Sequence, residues 1–88
     1  MIDMPILGTG APVLTEHDLV VLTHDLLAVG LNKGDVGTIV HVYADGQAYE
    51  VEFITGDGNT VAVATLEQPE FRPLGASEVL HARSVAAA

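Results

Sequence analysis

The sequence predicts an all-β domain, a small barrel of about five short antiparallel strands with flexible arms at both ends. Three observations lead there. Glu50 and Glu52 alternate with Tyr49, Val51 and Phe53, the period-two pattern of a strand with one buried face. Ala44-Asp45-Gly46-Gln47 stands just ahead of that run, and Asp-Gly supplies the φ > 0 conformers that a tight hairpin needs. The other apolar runs are short and end at Gly, Pro, Asn or Asp. Only the C-terminal tail has room for a helix of any length.

In chain order, residues 1–14 (MIDMPILGTGAPVL) lose any periodicity to two prolines and two glycines and read as an extended arm whose apolar side chains are available for docking. The barrel spans 15–75. Leu19-Val20-Val21-Leu22-Thr23 is β-branched, apolar and short, as in a buried strand. From His24 to Asp35 the chain reads as a long loop, with Leu26, Leu27 and Leu31 tucked against the sheet and Gly30 and Asn32-Lys33-Gly34-Asp35 cutting any helical turn short. Strict alternation from Val36 to Tyr43 separates Val36, Thr38, Val40 and Val42 from Ile39, His41 and Tyr43. After the hairpin and the Tyr49–Phe53 strand, Ile54 to Asn59 is a second turn. Thr60 to Leu66 then forms a strand with Ala62 and Ala64 on one side and Val61 and Val63 on the other. Pro69 breaks it, and Phe71-Arg72-Pro73-Leu74 closes the sheet. The tail, 76–88, either begins a short helix at Ser77, with Val79 and Leu80 on one face, or stays mobile.

Bulk composition narrows the function. Eighty-eight residues make one domain, which buries only about 60–65% of its unfolded surface. Three Lys and Arg against twelve Asp and Glu give a net charge of −9. Phosphate backbones are bound by clustered cations, and Lys33, Arg72 and Arg83 are few and scattered, so neither nucleic acid nor an anionic membrane is an expected partner. An acidic surface instead favours a basic protein. With no cysteine there is neither disulfide framework nor thiolate chemistry. The first residues carry no basic leader, no run approaches the ~20 apolar residues of a membrane helix, and the expected location is the cytoplasm.

Chemistry-bearing patterns are weak. His17-Asp18 and His24-Asp25 stand seven residues apart, a step that points two strand side chains oppositely, so no metal site is expected. Glu50 and Glu52 share a face with carboxyls about 7 Å apart, but an acid–base pair also needs a cleft that raises one pKa by burial. An outward acidic stripe is the simpler reading. Asp35, Asp45 and Asp57 sit beside glycines as turn formers. No cofactor motif and no catalytic triad pattern is present.

The order of strand, long loop, strand, hairpin, strand, turn, strand, proline turn and short strand is that of the SH3-like barrels. Leu22-Thr23, Gly30 to Tyr43, Ala48-Tyr49-Glu50-Val51-Glu52-Phe53, Thr60 to Leu66 and Phe71-Arg72-Pro73-Leu74 together resemble a family of small bacterial proteins, domain of unknown function 4926. The resemblance covers roughly residues 18 to 74 and implies an SH3-like barrel and very little else; no activity, catalytic residue or cofactor is carried over from it. Gly34-Asp35-Val36-Gly37-Thr38-Ile39-Val40 is also similar to the glycine-centred strand of the basic, RNA- or polymerase-binding KOW modules. Without their cations only the shape carries over.

The expected function is therefore a non-enzymatic acidic protein-binding module, an adaptor or small subunit, whose candidate partner surface comprises Glu50, Glu52, His41, Leu26 and Leu27. Two readings stand beside it. One is an antitoxin- or immunity-like neutraliser of a basic toxin; the other is a homo-oligomer built by pairing of exposed barrel edges.

Overall fold

A computed structural model of the protein describes residues 14–85, and they form an all-β, barrel-like sheet. The strands are β1 (Leu19–Leu22), β2 (Val36–Tyr43), β3 (Ala48–Ile54), β4 (Thr60–Leu66) and β5 (Phe71–Pro73). All pairings are antiparallel, in the order β4-β3-β2-β1-β5. The chain thus meanders through four strands and returns its last beside its first, the strand order expected of an SH3-like barrel. Short hairpins suit the meander because antiparallel neighbours need only tight turns. β1 lies between β2 and β5; its Val20 and Leu22 point into the core, Val21 is buried on the opposite face, and Leu19 at its start is 42% exposed.

The core gathers Val20, Leu22, Ile39, Val51 and Phe71, each at most 2% exposed, with Leu31, Tyr49, Phe53 and Leu66 around them. Tyr49 and Phe71 meet edge to face at 5.2 Å. Gly37 is there for space: a Cβ at that position would lie 2.6 Å from Val51 Cγ1 and 2.7 Å from Phe53 Cε2.

Two register shifts overturn the strict alternation expected of β2 and β4. Ile39 pairs with Val51 but His41 pairs with Glu50, so Val40 is an extra residue in β2. The bulge puts Ile39 and Val42 on the core side, with His41 and Tyr43 turned outward. In β4 the shift lies at Val61, between Phe53↔Ala62 and Ile54↔Thr60. Val61 consequently packs against the core together with Ala62 and Ala64, and Val63 faces outward, 50% exposed. The hairpin turn takes positive φ at Ala44 and Asp45 as well as at Gly46.

Three further expectations are corrected. Leu31 is buried and Leu26 packs against the core, but Leu27, in a short 3-10 turn (Leu27–Val29), is 79% exposed and does not tuck against the sheet. Leu14, assigned to the arm, is a buried member of the core; the rest of that arm, 1–13, lies outside the described residues. No helix begins at Ser77: through residue 85 the chain after β5 is an irregular strap across the body. Its apolar side chains Val79 and Leu80 are 92% and 57% exposed, so no buried face favours a helix.

Candidate functional site

Residues directly opposite in an antiparallel ladder share a face, so the register defines the outer surface of β2, β3 and β4. One row reads Thr38, Glu52, Val63 and the next His41, Glu50, Thr65, with Tyr43 beside Ala48 beyond them. The two carboxylates therefore lie side by side in the middle strand of a three-stranded face. Each is half-buried and held by a hydroxyl from β4: Thr60 Oγ1 donates to Glu52 Oε2 at 2.6 Å, and Thr65 Oγ1 donates to Glu50. His41 stacks edge-on against Tyr43 at 4.5 Å, and its Nδ1 is 3.9 Å from Glu16 Oε2. Around this acidic centre stand Val40, Tyr43, Val63 and Ile54, each between 40% and 56% exposed.

Of the five partner-surface candidates, the structure brings together His41, Glu50 and Glu52. Leu26 and Leu27 belong to the β1–β2 connection, whose polar contacts run elsewhere. Thr23 N donates to Glu70 O, Lys33 N to Asp25 Oδ1 at 2.7 Å, and Arg83 Nη2 to Gly30 O at 3.1 Å. They form a separate surface. Among the described residues no three His, Asp or Glu side chains converge as a metal site.

A second cluster was not anticipated. Asp35, 7% exposed, is the one buried charged side chain among the described residues. Gly34, at φ +93°, turns the chain so that Asp35 faces the strap. The carboxylate accepts the backbone N–H of Asn32 at 2.8 Å, as a turn former should. It also receives Arg83 Nε at 2.8 Å and Nη2 at 2.6 Å, with His81 Nε2 3.1 Å away. Burial alone raises its pKa, but Arg83, the Asn32 amide and His81 outweigh it and hold the carboxyl below its ordinary value. At the near end of the strap, Arg72 donates two hydrogen bonds of 2.7 Å to Glu78, which also accepts the Gly75 amide; the Arg72 bonds above all pull the Glu78 carboxyl down to about 2. Between strap and sheet runs a groove of about 780 Å³, lined by Leu31, Asp35, Phe53, Val61 and Leu80 among others. The signal for this cluster was in the composition: with three cations against twelve carboxylates, both arginines are spent on fastening the chain to itself.

The family model described as Domain of unknown function (DUF4926) matches residues 16–73. The chain belongs to this family. The matched span runs from the turn before β1 to the last residue of β5, so the DUF4926 domain contains the sheet, its acidic outer face and Asp35. Glu78, His81 and Arg83, which reach back to that domain, lie beyond the match. No curated protein and no solved structure matches the chain. No described helix is long and apolar enough to cross a membrane.

Proposed function

We propose that the DUF4926 chain is a non-enzymatic protein-binding module, an adaptor or small subunit, that engages a basic partner through the outer face of β2, β3 and β4. The observation that carries this reading is the pairing of Glu50 and Glu52 at the centre of that face, inside a border of half-exposed Val40, Tyr43, Ile54 and Val63. Apolar groups at a surface have area to bury against a partner, and carboxylates among them select one of opposite charge. The threonine hydroxyls fix both side chains in place, which lowers the entropy lost when a partner's cations meet them. An acid–base pair works in a cleft that encloses its substrate, whereas the outer face of a sheet is a surface on which another macromolecule can lie.

The test is affinity capture of partners from the native cell with wild-type protein and with Glu50→Lys/Glu52→Lys. The expected result is a basic protein retained by the wild type, eluted by salt and lost with the charge-reversed variant, which keeps its circular dichroism spectrum. Equal retention by the two proteins overturns the reading.

A further inference from the structure

β4 is an edge strand. It pairs with β3 alone, and among the described residues no backbone hydrogen bond reaches its other side. Alternate N–H and C=O groups along such an edge point away from the sheet and offer a template to another strand. Edges are commonly blunted by charges, proline or extreme shortness. The opposite edge, β5, has three residues, including Arg72 and Pro73. By contrast β4, Thr-Val-Ala-Val-Ala-Thr-Leu, has neither charge nor proline, and its one irregularity is the bulge at Val61. Ala62 to Leu66 is regular and open.

We propose that this edge pairs with the same edge of a second copy, antiparallel about a two-fold axis at Ala64, so that one sheet runs through two molecules. The regular stretch is self-complementary in that register. Val63 faces Thr65 of the second copy and Thr65 faces its Val63, two β-branched pairs on the outer side, where Val63 is half exposed. On the core side the small Ala62 faces the large Leu66, and Ala64 faces Ala64. Shifting the axis towards Val61 draws the bulge into the ladder, and shifting it the other way draws in Glu67.

The net charge of −9 permits this contact because of where the carboxylates sit. Glu50 and Glu52 lie one strand in from the edge, so those of the two copies are separated by three strand spacings, about 14 Å. That exceeds the ~8 Å screening length of physiological salt. Added salt removes the residual repulsion and tightens the dimer, opposite in sign to the capture of a basic strand. A five-residue ladder buries little area, so the dimer is micromolar or weaker. It sets two acidic faces side by side on the same side of the joined sheet, and it holds whether or not those faces bind a partner.

Sedimentation equilibrium of the full chain, from micromolar to millimolar concentration and at low and high salt, tests the proposal. The expected result is a monomer–dimer equilibrium that tightens with salt. In Val63→Lys/Thr65→Lys each lysine gains Glu52 or Glu50 directly opposite in its own sheet, which preserves the fold, but faces a lysine of the second copy. Its dissociation constant rises about tenfold or more. Concentration-dependent amide-exchange protection confined to β4 is the second readout, independent of the variant. A wild type that stays monomeric to millimolar concentration overturns the proposal and leaves the edge to a heterologous strand. Equal dimerisation by the double-lysine variant overturns it too.

Discussion

Replacing Asp35 by Asn removes a buried charge and changes almost nothing in shape. The carboxylate is held by Arg83 through two hydrogen bonds, by the Asn32 amide and by His81. Hydrogen bonds to a charged group contribute about 1.5–3 kcal/mol net. Breaking a buried ion pair costs about 3–5 kcal/mol when the surviving charge stays buried. Arg83 does not stay buried: its side chain is 27% exposed, on a strap that faces solvent, and the guanidinium rehydrates once released. The expected loss is therefore about 2–3 kcal/mol, a fall in Tm on the order of 10 °C for a domain of this size. Urea denaturation at pH 7 followed by circular dichroism measures it. Acid then tests the cause. The folded pKa of Asp35 lies below the 3.8 of a free side chain, so its contribution is fully present above that value and is lost as pH falls through the lower, folded one. The gap between wild type and Asp35→Asn stays constant near neutrality and closes below about pH 4. A variant within about 0.5 kcal/mol of wild type at pH 7, or a gap that persists in acid, refutes Asp35 as the anchor of the strap.

Gly37→Ala drives a methyl group into Val51 and Phe53, and a loss of about 1–3 kcal/mol in chemical denaturation is expected. Phe71→Ala empties the contact with Tyr49 at the centre of the core and costs about 3–5 kcal/mol. Leu27→Ala, at a side chain almost wholly in water, stays within about 0.5 kcal/mol of wild type in the same assay. Carboxyl-carbon NMR is expected to show the Glu78 carboxyl titrating at about 2, its pairing with Arg72 persisting from neutral pH down to that range and opening as pH falls through it. In Arg72→Ala the Glu78 carboxyl moves back towards 4.5.

Much of the fold was legible because it rests on local physics. The Tyr49–Phe53 alternation, the Asp-Gly hairpin and the brevity of the apolar runs each constrain a few neighbouring residues, and all agree with one antiparallel meander. The outward placement of Glu50 and Glu52 followed from the same alternation. That His41 joins them depended on the bulge at Val40, which simple period-two reading cannot see. A bulge is set by how two strands fit over a shared core, here by seating both Ile39 and Val42 inward.

The amino-acid sequence by itself determined the strands, their turns and the acidic face, since period, turn chemistry and net charge are carried by adjacent residues or by the chain as a whole. Tertiary structure alone decided what Asp35 does. Its carboxylate meets Arg83 across forty-eight positions, and no local pattern tells a turn-forming aspartate from one that also holds down a distant segment. It likewise decided that β4 ends the sheet with an uncharged edge, because an edge is defined by the strand that does not arrive beside it.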